Sequence, residues 1–72
     1  MTQEEKINEL AEMFEVEASE LTPERALDTL HWDSMSMLSL IAMVKSRFNK
    51  RLTGEMLRGF KTIGDVLAVM EA

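Results

Sequence analysis

Hydrophobic residues recur every three or four positions in three parts of the chain, which is the spacing of an amphipathic helix. These parts are 3–15, 34–48 and 63–71, and a shorter segment at 54–58 follows the same pattern. No stretch alternates polar and apolar residues with a period of two, so strands are not expected. The pattern predicts an all-α fold: a small bundle of three main helices plus one short helix, with a long loop between helices 1 and 2.

Capping residues indicate where these helices begin and end. Thr2-Gln3-Glu4-Glu5 and Thr62-Ile63-Gly64-Asp65 both match a capping box, in which the first side chain and the fourth bond each other's backbone N–H. Asp33 is a strong N-cap for the second helix. Thr22-Pro23-Glu24 is typical of a short helical turn inside the long loop. Gly59 is expected to end the short helix in a left-handed conformation.

The long loop carries more apolar residues than a free linker would. Leu21, Leu27 and Leu30 lie within it, and Trp32 follows just before the second helix. A structureless loop of this length would argue against a compact domain. We therefore predict that the leucines pin the loop across the helix ends and that Trp32 packs as an anchor.

Composition limits the function. A chain of 72 residues is expected to form one domain, 1–72, and with no cysteine and one histidine, disulfides and clustered metal ligands are not expected. Residues 1–33 hold ten acids against two bases, a net of −8, whereas residues 34–72 hold three against six, a net of +3. The acidic total disfavours nucleic acid as a partner. The longest apolar run is too short to span a bilayer, so membrane insertion is not expected.

One hydroxyl stands out at the predicted start of the second helix. Ser34 directly follows the cap Asp33, in the first turn, where backbone N–H groups and the helix dipole favour an attached phosphate. His31 lies close in sequence, but sequence neighbours rarely attain the geometry of a hydrolytic triad, and no oxyanion hole is apparent. We therefore expect no catalytic residue here.

These features resemble the acyl carrier proteins and the related peptidyl carrier domains over nearly the whole chain. Asp33-Ser34-Met35 matches the family's Asp-Ser-Leu signature, and the pattern of Leu40, Val44 and Phe48 and the segment 61–66 agree in position. The resemblance implies that a phosphopantetheinyl transferase attaches 4′-phosphopantetheine from coenzyme A to Ser34. Asp33, Ser34 and Met35 would then form the cofactor-binding site. The arm's thiol would hold acyl groups as thioesters.

The resemblance further implies a carrier and not an enzyme, which delivers acyl groups to acyl-transferring and acyl-modifying enzymes. We expect it to be a cytoplasmic monomer. The pathway could be fatty-acid, polyketide or another specialised synthesis. An aminoacyl or peptidyl carrier and a non-carrier helical interaction module remain alternatives. Carriers of this family can shelter the acyl chain between helices, and four methionines could line such a space or simply fill the core: Met37, Met43, Met56 and Met70.

The chain departs from the family at two places. His31 stands where the family often has glycine, and histidine tolerates a positive φ better than most residues. The second helix lacks the acids that fatty-acid carriers present to basic partners, since no acid lies between Ser34 and Thr53. We therefore predict a specialised carrier with neutral or acidic partner surfaces. The expected docking residues, with both serines on the exposed side, are Ser36, Met37, Ser39, Lys45 and Arg47.

Overall fold

Helices account for most of residues 2–71, the part of the chain that the computed structural model describes. The all-α prediction is confirmed: the four helices lie within two residues of the expected bounds. Two 3₁₀ turns, Ala18–Glu20 and Leu27–Thr29, lie in the connection between the first two helices. The helices are α1 (Gln3–Phe14), α2 (Ser34–Phe48), α3 (Gly54–Gly59) and α4 (Ile63–Val69).

The helices begin at the capping residues that the sequence indicates. Thr2 Oγ1 accepts the N–H of Glu5 at 3.2 Å, and Glu5 Oε1 accepts the N–H of Thr2 at 2.8 Å. Thr62 and Asp65 form the same reciprocal pair at the start of α4, with distances of 3.4 and 3.1 Å. Each pair satisfies donors that a helix start otherwise leaves unpaired.

The helix ends agree less well with the predictions from the sequence. Glu15 and Asn49, which follow α1 and α2, adopt the left-handed conformation with φ of 59° and 53°. Asparagine is among the residues that tolerate this region. The prediction for Gly59 is wrong, because no glycine within residues 2–71 has a positive φ. α3 instead ends where Phe60 turns to an extended conformation, with φ of −73° and ψ of 131°.

A single core joins all four helices to the first connection. Leu21 and Leu27 of that connection are only 2% and 1% exposed, which confirms that the leucines pin it to the helices. Leu30 packs against the same core as a half-buried residue. The buried core residues are Leu10, Ala11, Phe14, Leu21, Leu27, Leu40, Val44, Phe48, Leu52, Leu57, Ile63, Val66, Leu67 and Met70.

Backbone hydrogen bonds hold the first connection against the start of α4. An isolated antiparallel bridge joins Ala26 and Thr62. The N–H of Gly64 donates to the carbonyl of Pro23 at 2.8 Å, and a Cβ at Gly64 would lie 3.1 Å from that oxygen. A side chain there would crowd the carbonyl, so glycine permits this close approach. The contacts fix the segment that leads into α2.

Candidate functional site

Ser34 is the first residue of α2, and its side chain is exposed. The hydroxyl therefore lies at a helix start, as predicted from the sequence. The hydrogen bonds of the surrounding turn join His31, Asp33, Met35 and Ser36 and do not include the Ser34 hydroxyl. The site therefore presents a primary alcohol to solvent at the positive end of a helix dipole.

Asp33 caps the helix as predicted. Its Oδ1 accepts the N–H groups of Met35 at 3.1 Å and Ser36 at 3.0 Å. The bond from the Ser36 backbone is the main reason why the pKa of the Asp33 carboxyl lies below its ordinary value. The amides of Met35 and Ser36, which we expected to favour a phosphate on Ser34, thus already donate to Asp33. The dipole and the amide of Ser34 itself remain.

The predicted exposure of Ser36 is wrong. This residue was expected on the exposed side of α2 as a docking residue, but it is only 8% exposed. Its hydroxyl accepts the N–H of Asp33 at 2.9 Å and lies 2.7 Å from the carbonyl oxygen of His31, to which it donates. Ser36 occupies the third helical position, where its side chain reaches back to the cap and cannot face a partner.

Trp32 anchors the turn before Ser34, as expected. Its ring pairs with those of Phe14 and Phe60, with centroid distances of 6.2 and 6.5 Å. These distances and the tilted geometry are typical of favourable aromatic pairs. His31 is exposed and does not have a positive φ, so the turn forms without the left-handed residue that we considered there.

The outer face of α2 next to Ser34 is apolar. Within residues 2–71, the large hydrophobic side chains that stay exposed are Met35 at 77% and Leu38 at 65%. Ser39 is also exposed, as predicted. Leu38 was not among the predicted site residues, although its position three residues after Met35 and away from the Leu40 side of the helix could have revealed it.

The other predicted docking residues differ in availability. Lys45 is exposed and its Nζ donates to Asn49 Oδ1 at 3.1 Å. Arg47 is half exposed at 51%, but its guanidinium contacts Glu9 of α1 at 2.9 Å. Met37 is half-buried and packs against the core. Of the predicted set, Ser39 and Lys45 therefore lie with Met35 and Leu38 on open surface.

The four methionines lie around different spaces. Met43 lines a cleft with Met13 between α1 and α2, whereas Met56 lines another, with Phe60, beside α3 and α4. Met70 is fully buried and Met37 packs against the core. The structure therefore does not gather these side chains around one cavity.

Neither a clustered metal site nor a membrane-spanning helix is present in residues 2–71. No group of three or more His, Cys, Asp or Glu side chains in this part of the chain could hold a metal ion. None of the helices described is both long and apolar enough to cross a membrane.

Comparison with known proteins identifies the class. The sequence profile described as "Phosphopantetheine attachment site" matches residues 7–70. The meromycolate extension acyl carrier protein of Mycolicibacterium smegmatis is 39% identical over 97% of this chain and 76% of its own length. The Mycobacterium tuberculosis protein of the same name is 37% identical, over 99% and 66%. The acyl carrier protein of Rhodococcus erythropolis is 33% identical, over 97% and 82%.

The chain belongs to the acyl carrier proteins of the phosphopantetheine-attachment family. It spans about two-thirds to four-fifths of the length of these relatives. As a member of that family, it carries covalently attached 4′-phosphopantetheine and is a carrier, not a catalyst. It therefore interacts with a phosphopantetheinyl transferase and with enzymes that handle acyl groups.

Proposed function

We propose that Ser34 is the attachment residue of this carrier, and that Asp33 and Met35 complete the attachment site. The observation that carries this proposal is the exposed Ser34 hydroxyl on the first residue of α2, held outside the core by the capped turn. Asp33 keeps that helix start in place by accepting two backbone N–H groups.

The residues around Ser34 fit a phosphodiester. The first turn of α2 contains no acidic residue, and the helix dipole favours negative charge there. The Asp33 carboxylate is directed to the amides of Met35 and Ser36. When bound, the prosthetic group supplies a thiol that holds acyl groups as thioesters, while the protein supplies position and recognition.

Transfer of phosphopantetheine to the purified protein tests the attachment residue. The chain is incubated with coenzyme A and a broad-range phosphopantetheinyl transferase, and the intact mass is measured. We expect a gain of one phosphopantetheine on the wild type and on Ser46→Ala, whose serine is exposed on the same helix. Ser34→Ala should gain nothing. An unchanged gain in Ser34→Ala would place the attachment elsewhere.

We further propose that partner enzymes dock on the outer face of α2. Met35 and Leu38 provide an apolar contact beside Ser34, with Ser39 on the same face and Lys45 further along the helix. No acid lies between Ser34 and Thr53. A partner surface with an apolar depression and a neutral or acidic rim complements this face better than a basic one.

A charge reversal tests the docking proposal. The probe is a bacterial malonyl transferase whose docking surface is basic, acting on the loaded carrier. We expect slow acylation of the wild type and faster acylation of Lys45→Glu, whereas Arg58→Glu, on α3, should change little. Fast acylation of the wild type that weakens steeply with added salt would contradict the proposal.

The names of the relatives support a lipid cargo. Several are called meromycolate extension acyl carrier proteins, so we propose that this chain serves the extension of long acyl chains in a fatty-acid-type pathway. We also propose that it works as a cytoplasmic monomer. Loading with acyl groups of increasing length, followed by assay with chain-extending enzymes, would test the cargo. Light scattering of the holo form would test the oligomeric state.

A further inference from the structure

We propose that Ser36 is a positioning residue for the phosphopantetheinyl transfer, because its buried hydroxyl holds the turn before α2 and thereby orients Ser34. The inference rests on the proposed attachment at Ser34. Two residues apart on a helix, the side chains of Ser34 and Ser36 point in nearly opposite directions. Ser36 is only 8% exposed, whereas Ser34 is open to solvent.

The Ser36 hydroxyl both accepts and donates, and its proton has longer alternative acceptors in the carbonyl of Asp33 at 3.0 Å and in Asp33 Oδ1 at 3.3 Å. It accepts the N–H of Asp33 at 2.9 Å and donates its proton to the carbonyl of His31 at 2.7 Å. A hydroxyl can do both, whereas a carboxylate accepts only and an alanine does neither. These two partners flank Trp32, so one side chain ties both ends of the turn to the first turn of the helix.

The remaining bonds indicate which property Ser36 controls. Asp33 Oδ1 would still accept the N–H groups of Met35 and of residue 36 without the Ser36 hydroxyl, so α2 would still begin at Ser34. The backbone of the turn 31–33, however, would lose the bonds that the Ser36 hydroxyl makes to the N–H of Asp33 and to the carbonyl of His31, and only the Asp33 carboxylate would still join the turn to the helix through a side chain. We therefore expect the fraction of molecules that present Ser34 correctly to fall, which raises the apparent KM of the transferase for the carrier and leaves kcat nearly unchanged.

Initial rates of phosphopantetheinyl transfer, measured against carrier concentration with coenzyme A and a broad-range transferase, test this role. Ser36→Ala should raise KM at least about fivefold, the lower end of the factor expected when two neutral hydrogen bonds are lost. Its kcat should stay within about twofold of wild type. Ser36→Thr retains the hydroxyl and should recover most of the loss.

Two controls separate positioning from general destabilisation. Thr53→Ala removes the side chain that caps α3, where Thr53 Oγ1 accepts the N–H of Met56 at 3.1 Å, and should lower stability without changing KM. Ser46→Ala removes an exposed hydroxyl from α2 and should change neither quantity. Should Ser36→Ala lose its helical circular dichroism, Ser36→Cys replaces it, because a thiol is uncharged and is only a weak donor and acceptor; a rise in KM is again expected.

Amide hydrogen exchange gives a readout that is independent of the transferase. In Ser36→Ala the N–H of Asp33 should exchange faster, while the amide of Val44 in the middle of α2 should exchange as in wild type. A KM for Ser36→Ala equal to that of Ser46→Ala would overturn the inference even if Ser34 is loaded normally. A wild type that gains no phosphopantetheine, or a Ser34→Ala variant that does gain it, would instead contradict the attachment proposal.

Discussion

Replacing Trp32 tests how the turn 31–33, which precedes Ser34, is fixed to the core. A fully buried tryptophan or phenylalanine costs about 3–5 kcal/mol when cut to alanine. Trp32 is half-buried and contacts the rings of Phe14 and Phe60, so we expect Trp32→Ala to cost about 2 kcal/mol. Trp32→Phe keeps one ring and should cost about 1 kcal/mol. A domain of this size has roughly 4–11 kcal/mol in total, so both variants should fold.

Urea unfolding followed by circular dichroism at 222 nm measures this loss. With a slope of about 1 kcal/mol per molar urea, Trp32→Ala should lower the midpoint by about 2 M. His31→Ala is the matched control, because its side chain is exposed and its backbone carbonyl is retained; its free energy of unfolding should stay within about 0.5 kcal/mol. Equal midpoints for the two variants would refute the anchoring role of the Trp32 ring.

Three further measurements test other parts of the structure. Arg47→Ala breaks a surface ion pair with Glu9, so urea unfolding should show a loss below about 1 kcal/mol, and a loss above 2 kcal/mol would contradict this. Gly59→Ala should raise the thermal midpoint because open space surrounds its Cβ position, whereas Gly64→Ala should not, because its Cβ would lie 3.1 Å from the Pro23 carbonyl. In an acid titration the free energy of unfolding should stay constant near neutral pH and fall as the pH drops below the ordinary carboxyl pKa values of 4.5 and 3.8. A free energy of unfolding that does not fall there would contradict the capping bonds. The carboxyls concerned, each with a pKa lowered mainly by a backbone N–H bond, are Glu5, Asp33 and Asp65.

The helices could be predicted because their signals are local. Periodic apolar positions and capping residues act within a few residues of each other, so Thr2, Asp33 and Thr62 identify the three main helix starts correctly. The first connection could not be predicted in the same way. Its bridge from Ala26 to Thr62 joins segments 36 positions apart in the sequence. Its two 3₁₀ turns have three residues each, which is too short to show a helical period.

The exposure of the site residues could be predicted where it follows the helical period. It could not be predicted in this way where a side chain bonds to the helix cap. Ser34 and Met35 point outward as the pattern requires. Ser36 was misplaced because a small polar residue was expected to face water, although its position is three residues after the N-cap, where a side chain turns back to the cap. Arg47 was expected on a free surface, but the sequence could not show that Glu9 of α1 lies beside it.

The outer side of α2 carries the residues that a partner enzyme can reach, whereas its inner side holds the helix in place. Ser34, Met35, Leu38 and Lys45 face solvent, so an enzyme that covers the outer face of α2 also reaches Ser34, the proposed attachment residue. Ser36 and the core residues beyond it face inward and hold the helix and its preceding turn in place. Substitutions on the outer face should therefore change which enzymes use the carrier while stability stays nearly constant. Inward substitutions should change stability or the presentation of Ser34 for every partner alike, and this difference separates docking from positioning in any panel of variants.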